Sequence, residues 1–280
     1  MERIVCWFSC GAASAVATKI AIEANSLSLK PKELVVASIY LKDEHPDSER
    51  FLKECESWFG QKIEILTSDK YDSSVDKVIA STRYMSGARG ARCTKELKKQ
   101  VRLDWQRHDD IHVFGMTCEE EKRIDDLLDS ENNLSIWPVL IDEGMSKADC
   151  FSLIESIGIE LPEMYKLGYN NNNCIGCLKA QSPGYWNKIR VDFPEVFETR
   201  LEQERMLGTA LSRMSANKFI NEYPEHFKKM MADADQGKAQ IKINSKGAIM
   251  VPLRYLPPEA GKHESIYVGD CGFFCEKPAV

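Results

Sequence analysis

Cys174-Ile-Gly-Cys177 and Cys271-Gly-Phe-Phe-Cys275 are two closely spaced thiol pairs in a chain of 280 residues with ten cysteines. Four thiolates can close a tetrahedral zinc site or hold a 4Fe-4S cluster, and ligand softness alone does not choose between the two. Cys174, Cys177, Cys271 and Cys275 are therefore the candidate metal ligands. Cys6, Cys55 and Cys150 lie on apolar faces and read as packed core thiols.

A second chemistry is written in Ser9-Cys10-Gly11-Ala12-Ala13-Ser14, where an apolar run stops at small residues before a helix-forming stretch. A strand, a loop of small side chains and a helix N-terminus together present unpaired N–H groups and the positive end of the helix dipole to an anion. Gly11 permits close backbone approach, Ala12 and Ala13 leave space, and the Ser9 and Ser14 hydroxyls can donate to phosphate oxygens. A tight turn with a serine cap is the plainer alternative. The segment lacks the lysine of a G-x-x-x-x-G-K-[ST] loop and does not match G-x-G-x-x-G.

A third feature is basic. Residues 83–107 carry Arg83, Arg89, Arg92, Lys95, Lys98, Lys99, Arg102 and Arg107 against Glu96 and Asp104, although the whole chain has net charge −6. Arg89 and Arg92 lie in a stretch with Gly87 and Gly90, and Lys95 follows Thr94, which can cap a helix. The cluster suits anion binding, and a solvated basic face is the alternative.

These groups have to be positioned by alternating elements. Residues 3–8, 34–41, 62–66 and 111–115 read as strands, with helical periodicity over 13–25, 47–59, 73–82, 94–107 and 119–130. Asp47, after Pro46, reads as a helix cap. The βαβ alternation predicts an α/β fold with a doubly wound, mostly parallel sheet, completed by an apolar segment at 135–140 and a helix over 147–158. Ligands in such sheets sit at the carboxyl ends of strands near a switch point, where Asp43 can meet a ribose or adenine or serve as a turn acid. Gly115 and Thr117 follow the fourth strand in the same way.

After about residue 160 the pattern turns polar, with helices expected over 194–215 and 216–235 and a hairpin over 240–255. The expected division is a nucleotide-binding domain over 1–160 and a helical, cysteine-containing C-terminal extension over 161–280. With 43% apolar and 29% charged residues and no membrane-length apolar run, the chain reads as a soluble protein. It shows no secretory leader pattern, so a cytoplasmic location is expected.

The small-residue loop resembles the PP-loop of the ATP pyrophosphatase superfamily, specifically the phosphoadenosine phosphosulfate (PAPS) reductase-like branch of this adenine nucleotide alpha-hydrolase-like fold. The resemblance extends through "YLKDEHPDSERFLKECESWFG", "ARCTKELKKQ", "GMTCEEEKR" and "NCIGCLKAQSPGYWNKIR", over roughly residues 1–190. Many ATP-using members carry an aspartate where this chain has Ala13, which suits the PAPS reductase-like branch. The resemblance implies an adenine nucleotide as substrate, whether PAPS, adenosine phosphosulfate or ATP. Ser9 to Ser14, Asp43, Arg89, Gly115, Thr117 and Arg123 would lie at the nucleotide, with Gly115 approaching it and Arg123 holding an acidic group.

Cys271, Arg92 and Lys95 would be the catalytic residues, because family members keep a nucleophilic cysteine near the C-terminus in a context like "DCGFFCE". In the iron-sulfur members an early cysteine pair matches Arg92-Cys93, so Cys93 is an alternative ligand here. Cys271 is then either the attacking thiolate or a metal ligand. The leading expectation is a PAPS reductase-like enzyme with a cysteine-bound metal centre, served by an electron donor such as thioredoxin. An ATP-dependent iron-sulfur sulfur transferase that modifies nucleic acid is the alternative, and a nucleotide-binding module with structural zinc is a third.

Overall fold

The structure, a computed structural model, describes residues 2–87, 90–130 and 134–262. In chain order the strands are β1 (Arg3–Trp7), β2 (Glu33–Ile39), β3 (Ile63–Leu66), β4 (Ser86–Gly87), β5 (Gly90–Ala91), β6 (Ile111–Val113), β7 (Ser135–Ile136), β8 (Ser212–Ser215) and β9 (Ala248–Val251). The helices begin with α1 (Ala12–Ser26), α2 (Ser48–Phe59), α3 (Val75–Thr82), α4 (Gln100–Trp105), α5 (Glu121–Ser130) and α6 (Val139–Asp142). They continue with α7 (Lys147–Ser156), α8 (Glu163–Lys166), α9 (Pro183–Asp192), α10 (Pro194–Leu207), α11 (Ala216–Glu222) and α12 (Pro224–Asp235).

The chain divides into two compact units. One comprises the described residues of Met1–Val75 and Lys95–Asn172, the other those of Asp76–Thr94 and Asn173–Val280.

The first unit holds a five-stranded sheet in the order β3-β2-β1-β6-β7, every pair parallel. This is the expected α/β fold of the doubly wound kind. All five residues of β1 are buried, as befits a central strand covered on both faces. Val5 pairs with Val35 on one side and His112 on the other. The chain leaves β1 toward β2 and β3, then returns to the opposite side of β1 as β6, which puts the switch point between β1 and β6.

The helix α1 buries Ala12, Ala15, Ala17 and Ala21 with Val16 and two hydroxylic residues. Small side chains of this kind let a helix lie close to its neighbours, and the same core takes in Phe8, Phe51, Val113, Leu140 and Ile154. Cys6, Cys55 and Cys150 are buried in that cluster, and burial pushes the Cys6 and Cys55 thiols up and that of Cys150 to about 12.

At the amino ends of β1 and β6 a buried fork joins Arg3 to Asp110 at 2.7 and 3.0 Å. The Trp7 indole N–H donates to His112 Nδ1 at 2.9 Å. These contacts tie the two strands together, Arg3 at the amino end of β1 and Trp7 at its carboxyl end.

In the second unit β8 and β9 form an antiparallel ribbon, with Ser212 opposite Val251 and Arg213 opposite Met250. The helix expected over 194–215 stops at Leu207, because Gly208 takes φ 62, and residues 212–215 are a strand. The hairpin expected over 240–255 is present in short form, with an antiparallel bridge from Ile243 to Ile249 and bonds from the Asn244 N–H to the Ala248 carbonyl and from the Met250 N–H to the Lys242 carbonyl, while β9 also pairs with β8. Alternation identifies a strand but does not choose its partner. The helix expected over 94–107 is a wider π-type turn over Thr94–Lys99 followed by α4. Among the described residues no helix is long and apolar enough to cross a membrane.

Candidate functional site

The loop between β1 and α1 lies at the switch point and is shaped by its own residues. Cys10 has φ 55, a left-handed conformation that is uncommon for a residue with a side chain. The Asn172 amide holds it there, donating to the Cys10 carbonyl at 2.8 Å and to the Ser48 hydroxyl at 3.1 Å. The Cys10 thiol is buried rather than turned to the loop's open side. Burial raises it well above its usual range, the Glu44 carboxyl adds to this, and a contact with the Ser38 hydroxyl works against it.

Ser14 closes the loop from within. Its hydroxyl accepts from the Ser9 N–H and the Ser9 hydroxyl, each at 3.1 Å, and donates to the Gly11 carbonyl at 2.9 Å. In this structure the Ser14 hydroxyl therefore latches the loop. Ala12 is fully buried and Ala13 half-buried.

The first helical bond of α1 runs from Ala15 N–H to the Gly11 carbonyl at 3.0 Å. Gly11 is the N-cap and offers no capping side chain, and the first turn contains no acidic residue. Among the described residues the N–H groups of Ala12, Ala13 and Ser14 donate to no protein acceptor. A fifteen-residue helix therefore starts with its positive end neither capped nor neutralised.

The loop after β6 meets this start directly. A Cβ on Gly115 would lie 2.6 Å from Ser14 Cα and 2.8 Å from the Ala13 carbonyl carbon. The glycine is thus explained by backbone packing of one loop on the other. Thr117 follows, its N–H 3.3 Å from the Glu120 carboxylate and its hydroxyl donating to Glu119 at 2.8 Å. Arg123 pairs with Glu120 one turn on. Lys147 reaches from α7, its N–H donating to Glu119 at 3.1 Å and its ammonium to Asn170 and Asn171. The Tyr165 hydroxyl stands 3.2 Å from where a Gly11 Cβ would be.

Around the end of β2, Asp43 accepts from the Val75 N–H at 2.8 Å, so its carboxylate serves the start of α3. Glu44 is largely buried, 3.8 Å from the ammonium of buried Lys98. Burial pushes the Glu44 carboxyl up to about 7, against the pull of Lys98. Asp47, expected as a side-chain cap, has helical backbone and makes no cap bond. Its carboxylate instead accepts a fork from Arg50 at 2.6 and 2.9 Å and the Glu163 N–H at 2.8 Å.

Within the basic stretch, Lys95 is exposed while Lys98 and Arg102 are buried. Lys95 belongs to the first unit with the loop, whereas Arg92 and Cys93 belong to the second. Arg89, Cys271 and Cys275 lie outside the described residues.

Cys174 and Cys177 are both buried on one turn of the second unit. Gly176 takes φ 65, and a side chain there would meet Val196 at 2.7 Å. The Cys177 N–H donates to the Tyr185 hydroxyl at 2.8 Å, and Arg200 Nε donates to the Gly176 carbonyl at 3.3 Å. The turn is therefore held from two sides with its thiols close in sequence, which suits one half of a four-thiolate set. Among the described residues no three Cys, His, Asp or Glu side chains gather as a metal-holding group.

Asn172, Lys147, Tyr165, Glu44 and the latch function of Ser14 were not legible from residue type. The one signal was the Asn170–Asn173 run, three members of which are buried.

A comparison with protein-family models and with curated proteins finds no match. Among solved structures the chain is similar to a predicted subunit of tRNA methyltransferase from Methanocaldococcus jannaschii, with 17% identity and a TM-score of 0.32, covering 58% of this chain and 90% of that one.

Proposed function

We propose that the first unit binds an adenine nucleotide, with its phosphate or sulfate oxygens over the loop from Ser9 to Ser14, and that the protein is a PAPS reductase-like enzyme. The observation that carries the binding reading is the bare N-terminus of α1 at the switch point between β1 and β6. Backbone N–H groups at the start of α1, where Gly11 and Ala13 are partly exposed, are the donors, and Lys95 is an exposed cation of the same unit. The Ser14 latch and the Asn172 clamp keep the loop in its binding shape before the ligand arrives, which removes an ordering cost from binding.

For the reductase chemistry, the Cys271 thiolate attacks the sulfonate sulfur, and the S–O bond to the nucleotide phosphate breaks. The nucleotide leaves with that electron pair and a cysteine S-sulfonate remains. A dithiol donor of the thioredoxin type then attacks the cysteine sulfur, sulfite departs, and the donor ends as a disulfide. A metal centre would be held by Cys174 and Cys177 with Cys271 and Cys275 when Cys271 is not the nucleophile. Such a centre supplies either structural closure, as zinc, or electron transfer, as a cluster.

Calorimetric titration with ATP, PAPS and adenosine phosphosulfate tests the binding reading. At least one of them should bind with a stoichiometry near one, and heat from none of them would overturn it. Replacing Cys271 with Ser should abolish sulfite release from PAPS. Sulfite release unchanged by that replacement would remove the thiolate step.

A further inference from the structure

The second unit contains a cavity of about 480 Å³, and two sequence periodicities build its walls. Along β8 and β9 the residues alternate. Ser212, Met214, Ile249 and Val251 are buried, while Arg213, Ala248 and Met250 face the cavity. Another part of the lining is one stripe of α10, Leu201, Glu204 and Arg205 at helical spacing, with Gly208 just past the helix end.

Charge is concentrated here. Arg205, Arg213, Lys238, Lys242 and Arg254 line the cavity, and among the described residues Glu204 is its one carboxylate. Glu204 is occupied by the protein itself, accepting from the Leu211 N–H and from the Leu253 N–H at 2.6 Å. Arg205 is paired with Glu202 at 3.1 Å. Among the described residues Arg213 and Lys242 make no side-chain hydrogen bond or ion pair. In a chain of net charge −6, this concave surface leaves cations uncompensated.

The remaining lining distinguishes a simple anion site from something larger. Leu201, Met250 and Pro252 give apolar contact, and Gln181 and Gln240 add amides that can donate and accept. The volume is that of a site for a small organic molecule. We infer that this cavity binds a nucleoside phosphate unit, its phosphate on Arg213 and Lys242 and its base against the apolar and amide wall. The unit is either a free nucleotide or one nucleotide of a single-stranded nucleic acid. The inference rests on the second unit alone and stands whether or not the loop of the first unit binds a nucleotide.

The test uses the full-length chain with Gly11→Asp, which places a carboxylate at the first unit's loop, and the same chain with Arg213→Gln and Lys242→Gln added. AMP, inorganic phosphate and a fluorescein-labelled single-stranded hexanucleotide are titrated separately into both. AMP or the hexanucleotide should bind the first protein and lose at least about tenfold in affinity in the second, with a loss that shrinks as salt rises. Which of the two probes binds more tightly identifies the source. Lys242→Glu alone, at an exposed position, should weaken binding in the same direction and guards against a folding defect. Equal affinity in the two proteins, no binding of either probe, or phosphate binding as tightly as AMP would overturn the inference. Failure of the loop reading would leave Gly11→Asp without effect on ATP binding, an outcome separate from all of these.

Discussion

Gly115 and Asn172 are where single side chains decide the shape of the loop. Adding a side chain at Gly115 drives it into the backbone of Ala13 and Ser14, so Gly115→Val should cost about 1 to 3 kcal/mol, read as a lower urea midpoint. A midpoint equal to the wild type would mean that the two loops are not packed as described. Asn172→Ala removes the donor that holds Cys10 at positive φ and leaves the Cys10 carbonyl without that partner. The expected loss is about 1 to 3 kcal/mol, with weaker nucleotide binding because the loop is no longer fixed in advance. Neither role could be read from the sequence. An asparagine announces hydrogen bonding without naming its partner, and a glycine announces a steric or conformational need without saying which.

The α/β alternation was legible because short strands alternate along the chain with longer helix-forming stretches. The position of the first loop follows from that pattern, whereas the strand order β3-β2-β1-β6-β7 does not. The second unit was read less well. The boundary of α10 was set by Gly208, and the partner of β9 lies more than thirty residues upstream at β8, a pairing that local periodicity does not encode. Asp47 shows the same limit within one helix, since its spacing fits a cap while its carboxylate joins α2 to α8 through Arg50 and Glu163. The Arg50 guanidinium and the Glu163 N–H hold its carboxyl below the usual aspartate value of 3.8 despite partial burial. A lowered folded-state pKa gives stability that is present above the unfolded value and is lost as pH falls through the folded one. Asp47→Asn should therefore flatten the acid limb of the stability profile below about pH 4. Thermal melts across that range check it, and an acid limb as steep as the wild type would contradict the linkage.

At the scale of the whole molecule, burial displaces a carboxyl upward in each unit: Glu44 to about 7 in the first and Glu204 to about 8 in the second. A raised folded-state pKa means stability that is full below the unfolded value and declines as pH rises through the folded one. Stability should therefore fall between about pH 5 and 8, and Glu204→Gln should remove the upper part of that slope while lowering stability at acid pH, where one of two backbone bonds is weakened. Urea midpoints at a series of pH values measure both effects, and a profile that rises over this window would contradict the assignment.

Nucleotide binding at the first unit hinges on the uncapped start of α1, and Gly11→Asp separates its role in binding from its role in folding. An aspartate at the N-cap satisfies helix N–H groups and complements the dipole, so the helix should be as stable as before or more so, by up to about 1 kcal/mol. The same carboxylate occupies the position assigned to the ligand's oxygens. The measurement is the affinity of this variant for whichever of ATP, PAPS or adenosine phosphosulfate binds the wild-type chain, alongside its urea midpoint. The predicted result is an unchanged or higher midpoint with affinity lowered at least about tenfold by the added negative charge. Undiminished affinity at an unchanged midpoint would contradict the placement of the nucleotide at this loop.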